Sequence, residues 1–455
     1  MISHKTKLLY GVGAFGYGSI GQTMSSFLIF YGTGVLGIPG TLMGLAIGIS
    51  TVWDATTDPF VGHWSDNTRS RFWGKRHGWI FFAALAVAFV NMLVWLVPAG
   101  WPLGAKFAAM LVLLLVMESF NTCYSTPFGA LGLDLSKTYN DRTAVQNYKT
   151  AFSFTSLLVP SLLMLLLLQN GRNQSGYVWI AMVTGVLCVV CAVICCVGTY
   201  RHRPVADPTS NSPRHCLSLK SKSTTGLLED FFGIVRQKNV GRLIAGYAVS
   251  LSAGAFLTSL GLHVFTYTFQ FSNKQIPIIM MCLIAGIIVG QPLWYYISRK
   301  TDKITALLAA LGTLFACMFM FAIVLVWRQT VPINTALIYV CLTIFASGVA
   351  TGCLYSLPIS MFADCVALRN AQTGVDKTGK SAGFLTFCTK ISNAVIMFVI
   401  GLSLDIIGFR GAADAQSVSV QNWLGWLLIA GVAVASVGAM FIYSKYSYTK
   451  RDFRD

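Results

Sequence analysis

The sequence predicts an all-α membrane protein of about twelve transmembrane helices arranged as two six-helix bundles. Three observations lead there. Of 455 residues, 55% are hydrophobic and only 11% charged, with a mean hydropathy of +0.65; a soluble domain carries about 25% charged residues. Apolar stretches near the ~20 residues that cross a bilayer as helix recur along the whole chain. These stretches are continuously apolar rather than alternating, which argues against strands. Lys and Arg, finally, crowd alternate loops.

The spans are expected at about 8–36, 40–65, 78–98, 103–133, 145–169, 177–199, 241–270, 275–298, 304–327, 332–364, 380–407 and 421–445. Arg69, Arg71, Lys75 and Arg76 follow the second span, Arg142 and Lys149 lie around the turn after the fourth, Arg299, Lys300 and Lys303 follow the eighth, and Lys450, Arg451 and Arg454 end the chain. The opposite loops hold mostly single cations. The positive-inside rule then puts both termini in the cytoplasm, of a plasma (inner) membrane. His4, Lys5 and Lys7 lead straight into a long first span, so no cleavable signal is expected.

The polar, Pro/Ser-rich stretch 200–240 divides the chain into a first bundle, 1–199, and a second, 241–445, before a tail, 446–455. Within the linker, GLLEDFFGIV is amphipathic and suits a membrane surface. A weak echo suggests duplication: Tyr10-Gly-Val opens the first span and Tyr247-Ala-Val the seventh, and Gly62 to Asp66 compares with Gly290 to Asp302. Two six-helix halves joined by a loop imply the major facilitator architecture, with a central site between them. Forty-two glycines fit closely packed helices.

The net charge of +17 would suit a nucleic-acid binder, but its confinement to one set of loops argues for a membrane orientation signal and no nucleic acid. Twelve cysteines lie mostly in apolar spans without metal or disulfide spacing. The glycine run 11–21 follows no strand and is no dinucleotide fingerprint. Neither an enzyme nor a cofactor is indicated. Asn173-Gln-Ser is a glycosylation sequon, relevant only in a eukaryotic secretory setting.

The chemistry lies in charges placed inside apolar spans, each costing roughly 2.5–3.5 kcal/mol or more to insert. Asp54 and Asp58 in WDATTDP share one helix face at i and i+4, and two ionised carboxylates so close in low dielectric repel strongly. The pair is tolerable if it holds a proton, a cation or a basic partner. Pro59 frees the carbonyl of Ala55 from its helical bond, and Thr56 and Thr57 add hydroxyls. Such an all-oxygen site suits Na⁺ or Li⁺, or H⁺; a structural salt bridge to another helix is the alternative. Glu118, Thr122 and Ser125 form a polar stripe on the fourth span that reads as facing a water-filled cavity. Lys390, about ten residues into the eleventh span, is either a partner for an intramembrane acid or a ligand for an anionic substrate group. Lys149 is explained by snorkelling as well as by substrate contact. His263 reads first as a packing residue.

Tyr10-Gly-Val-Gly-Ala-Phe-Gly, WDATTDPFVG, NTRSRFWGKRHGWI, TPFGALGLDL, ADCVALRNAQTGVDKTG and GLSLDIIGF together resemble the glycoside–pentoside–hexuronide:cation symporter family, typified by melibiose permease. The resemblance covers most of the chain and is most specific in the second span and the loop after it. It implies a cation site at Asp54, Thr57, Asp58 and Thr122, matches Lys390 to the family's lysine, and puts Lys149 where arginine is usual. Arg142, Asp364 and Thr373-Gly374 match gate and loop positions. The family's two sugar-gripping acids are replaced by Gly18 and Ser125, and a nearby tryptophan by Gly129, so galactoside specificity does not carry over. Other short identities, such as Glu118…Thr122-Cys123…Pro127 and Thr389-Lys390 leading to Leu404-Asp405, resemble a second branch, the vertebrate sodium-dependent lysophospholipid symporters.

The expectation is therefore a monomeric symporter that couples Na⁺ or H⁺ to uptake of a small organic solute, foremost a glycoside or other sugar derivative. A lysophospholipid or other organic anion is the alternative, and a receptor or scaffold on the same fold is the alternative of another class. Substrate is expected near Tyr17, Gly18, Gln22, Ser125, Lys149 and Lys390. Asp66, Arg69, Arg142 and Asp364 are expected to form a cytoplasmic gate.

Overall fold

A computed structural model of the chain describes residues 3–68, 70, 72–135, 139–167, 174–202, 238–373, 378–411 and 416–446. The side chains of Arg142 and Thr373, the residues Arg69 and Gly374, most of the linker, the sequon at Asn173 and nearly all of the tail lie outside the described residues. The described elements are helical. They are α1 (His4–Phe30), α2 (Gly40–Asn67), α3 (His77–Trp95), α4 (Leu103–Leu135), α5 (Tyr139–Ser156), α6 (Leu158–Leu167) and α7 (Gln174–Thr199), then α8 (Lys238–His263), α9 (Gln275–Lys300), α10 (Lys303–Trp327), α11 (Ile333–Thr373), α12 (Thr378–Ile406) and α13 (Val418–Ser444).

Helices α5 and α6 are one crossing broken at Leu157, because Pro160 has no N–H to offer the carbonyl of Ser156. Ten described segments are long and apolar enough to cross a membrane. The first two crossings, α1 and α2, are as long but carry more polar residues: the basic start and glycines of α1, and Asp54, Asp58 and Asp66 of α2. Large apolar side chains such as Phe319, Val434, Val197 and Ile406 stand exposed around the molecule, as lipid contact requires.

In the first half α1 packs on α7 and α5, α2 on α4, and α3 on both α4 and α7; in the second, α9 packs on α11, α13 on α8 and α10, and α12 on α8. The halves meet along α2–α12, α1–α8 and α6–α9. A repeated local device relates them. Both α1 and α8 end in a π-helical turn, Tyr31–Val35 and Val264–Thr268. Each turn closes with the same pair of bonds: Leu36 N to Tyr31 O with Ile38 N to Gly32 O, and Phe269 N to Val264 O with Phe271 N to Phe265 O. The duplication hinted at by Tyr10 and Tyr247 thus extends to an irregular backbone feature with little shared sequence.

The two ends of the molecule differ. At the end carrying the chain termini, each half closes on itself. Arg76, opening α3, holds Asp66 of α2 and Asp134 of α4 (3.3 Å) together with Ser65 (2.8 Å). In the second half Lys303, opening α10, holds Asp364 (2.5 Å) and Ser360 (2.9 Å) of α11. These are equivalent positions of the two repeats. Asp66 and Asp364, two of the residues expected in the cytoplasmic gate, are bound here within their own halves, and among the described residues no ion pair joins the halves at this end.

At the distal end the halves touch closely. Thr33 hydrogen-bonds His263 (2.9 Å), a residue buried between Phe30 and Phe409. Down the α2–α12 seam, a Cβ on Gly40 would lie 2.4 Å from Gly401 O, one on Gly44 2.5 Å from Met397 O, and one on Gly48 3.2 Å from Ala394 O. Only glycine lets two helices from opposite halves approach backbone to backbone in this way.

Gly44→Val should cost about 1–3 kcal/mol through overpacking and lower the melting temperature of the detergent-solubilised protein. Gly312→Ala is the contrast, since a Cβ there meets nothing within 4 Å; its melting temperature should hold or rise slightly.

Candidate cation and substrate site

Below the glycine seam the same two helices bring charges together. Lys390 of α12 lies 2.7 Å from Asp54 Oδ2 and 2.5 Å from Asp58 Oδ2 of α2. The arrangement follows from helical spacing: Lys390 is four residues from Ala394 on one face of α12, and the two acids continue the line of Gly48 on α2. An ammonium has three donors, and two of them go to the carboxylates. Side-chain exposures of 17% for Asp54, 30% for Asp58 and 23% for Lys390 leave water partial access. Two acids and one lysine sum to a net charge of −1.

Thr122 of α4, fully buried, donates to Asp54 Oδ1 at 2.6 Å and lies 3.4 Å from the Thr57 hydroxyl. Its hydroxyl is also 3.1 Å from the carbonyl of Glu118, whose carboxylate takes a bond from Asn121 Nδ2 at 3.0 Å. Trp53 Nε1 donates to Ser119 Oγ at 2.9 Å, tying α2 to α4 one turn away. The four residues that the resemblance implies as a cation site thus share one place, gathered around the Lys390 ammonium. Among the described residues no group of three or more His, Cys, Asp or Glu could hold a metal. A cation here would rely on two carboxylates, the threonine hydroxyls, the carbonyl freed by Pro59, and water.

The residues expected to bind substrate divide. Gln22 lines a cavity of about 240 Å³ between the halves, with Ser153, Phe154 and Leu157 on one side and Thr258, Leu283, Ile284, Ile287 and Tyr355 on the other. Its amide also donates to Ser26 Oγ at 2.9 Å. Tyr17 stacks on Tyr124, ring centroids 5.0 Å apart, beside Ser125 on α4. At Gly18 an added Cβ would lie 2.3 Å from Ser156 Oγ, so the position packs α1 closely against α5. Lys149 reaches over the Phe128 ring, 5.7 Å from its centroid, a cation–π contact toward the end carrying the termini. Lys390 is held by acids rather than presented to the cavity.

A second opening lies on the lipid-facing side of the same seam. Leu45, Gly48, Ile49, Val52, Trp53 and Thr56 of α2 and Ala394, Val395 and Phe398 of α12 line an apolar groove of about 580 Å³ beside the charged triad. Sequence reasoning missed this groove, along with Arg76, Asp134 and Lys303. The mirrored positions of Arg76 and Lys303, each opening the helix after a basic loop, carried the signal for the last three.

Comparison with known proteins agrees with this architecture. An uncharacterized symporter of Synechocystis sp. is 25% identical over 488 residues, covering 91% of this chain and 88% of the relative. Sodium-dependent lysophosphatidylcholine symporter 1 of Gallus gallus is 22% identical over 470 residues, covering 95% and 84%. A bacterial homolog of the human lysosomal transporter Spinster, solved inward-facing and unoccupied, shares the fold with a TM-score of 0.70 at 14% identity, over 100% of this chain and 98% of that one. These relatives are transporters and not enzymes, and the model of the MFS/sugar transport protein family matches residues 9–450. On that match, over almost its whole length, the chain belongs to the MFS/sugar transport protein family, the melibiose permease-like symporters of the major facilitator superfamily.

Proposed function

We propose that the protein couples a small monovalent cation, Na⁺ foremost, to movement of an amphipathic organic solute with an anionic or zwitterionic head. The observation that carries the coupling is the Asp54–Lys390–Asp58 bridge between the halves. With both termini cytoplasmic, the described state is closed to the outside and faces inward. Lys390 then substitutes for a departed cation, so that the acid pair never stands bare in a low-dielectric setting, where an unpaired buried charge costs several kcal/mol. When the outside opens, an incoming Na⁺ takes the oxygens of Asp54, Asp58, Thr57 and Thr122 and releases the ammonium toward the cavity. An anionic head group would hold it there. Ion and solute each favour the same arrangement of Lys390, which makes their binding mutually reinforcing.

Three observations support an amphipathic solute over a galactoside. Glycine stands at position 18, where an added Cβ would meet Ser156 Oγ at 2.3 Å, so the sugar-gripping acid is missing there. The central cavity is walled mainly by apolar side chains. An apolar groove open to lipid adjoins the charged site. The similarity to a lysophosphatidylcholine symporter supports the same reading.

Sodium at about 100 times its Kd should stabilise the folded protein by about 2.7 kcal/mol, seen as a rise in melting temperature that K⁺ does not produce. Asp54→Asn and Asp58→Asn should each abolish that rise; if both variants keep it, the coupling site lies elsewhere. In a thermal-shift screen with sodium present, lysophosphatidylcholine should stabilise the protein where glycosides, uronates and sulfonated sugars do not. A galactoside that stabilises it comparably would overturn the substrate reading.

A further inference from the structure

At the distal end of the α2–α12 seam, one carboxylate crosses from the second half to the first. Asp405, near the end of α12, accepts hydrogen bonds from the backbone amides of Gly40 (Oδ1, 2.7 Å) and Thr41 (Oδ2, 2.7 Å), the first two residues of α2. The first amides of a helix have no intrahelical partner and are usually met by a side chain at the preceding position. Here that position is Pro39, which offers none. The cap of α2 is therefore supplied by the opposite half of the protein. Asp405 makes no ion pair among the described residues, so its charge is met by these amides and by the positive end of the helix dipole.

We propose that Asp405 is the residue that holds the distal end shut: it caps α2 only while the halves touch there, and so sets the balance between the two faces of the transport cycle. When the halves part at that end, the carboxylate and both amides lose their partners together. Asp405, Gly401, Met397, Ala394 and Lys390 lie three or four residues apart on one face of α12. They meet in turn the α2 N-terminus, Gly40, Gly44, Gly48 and the acid pair. The latch and the cation site are thus the two ends of one helix–helix contact, and a change in where Lys390 sits is felt along a rigid helix at Asp405. Gly40 serves the same device, since a Cβ there would sit 3.2 Å from Asp405 Oδ1 as well as against Gly401.

Hydrogen–deuterium exchange on the full-length protein in lipid nanodiscs, without substrate or sodium, tests this. Asp405→Asn removes the charge and one acceptor without changing shape. Exchange at Gly40–Met43 should quicken about tenfold, the factor that about 1.4 kcal/mol corresponds to. Exchange over Gly62–Asn67 and Ser356–Asp364, at the end carrying the termini, should slow as that end closes. Gly401→Ala, whose Cβ would lie 2.0 Å from Gly40 O, should give the same reciprocal pattern by an independent route, and Asp405→Glu should restore most of the wild-type profile. Faster exchange confined to the distal end, or no change at either end, would overturn the proposal and leave Asp405 a local cap. The inference rests on the alternating-access part of the reading above. Because its test needs neither ion nor solute, it can fail while cation coupling stands, and the reverse.

Discussion

Two carboxylates on one helix and an ammonium on another, belonging to opposite halves of the protein, hold each other at 2.5–2.7 Å inside an apolar setting. Remove either sign and the remainder is an uncompensated charge in a largely apolar setting, which is destabilising. The α2–α12 contact must place these groups opposite one another, and the glycines above them do so by letting the two backbones touch. The same contact ends in the trans cap of α2. One helix pair thereby carries the charge balance, the alignment of the halves and the closure of one face.

The asymmetry between the two ends gives this arrangement its meaning for transport. Among the described residues, contacts between the halves run from Lys390 to the distal end, whereas Arg76 and Lys303 keep their acids within their own repeats at the other. Hydrogen bonds and close packing on one side, and self-contained networks on the other, are what a rocking pair of rigid halves requires. The equivalence of the π-turns after α1 and α8 fits two copies of one unit working about a shared axis.

Much of the fold was legible because hydropathy reports lipid contact directly, and the linker composition changes sharply at residue 200. Asp54, Asp58 and Glu118 stood out for the same reason: a charge in an apolar span is conspicuous. What a single sequence withholds is the distance between helices. Lys390 had two readings because nothing along the chain says that it meets α2. Nothing along the chain says that Gly18 faces Ser156 on another helix. Asp405 sits near a span end, where an acid is ordinary, and only its contact with an uncapped helix 365 residues away gives it a role. The partners of Asp66 and Asp364 were not legible either, because charge alone does not say which basic residue an acid meets.

On the proposed coupling, Lys390 occupies the cation site and competes with sodium for it. Sodium titration of Lys390→Ala, followed by melting temperature, tests this. The variant should take up sodium at least about tenfold more tightly than the wild type, the internal competitor being gone. A variant that no longer responds to sodium, or responds only at higher concentration, would contradict it and make Lys390 a structural support of the site.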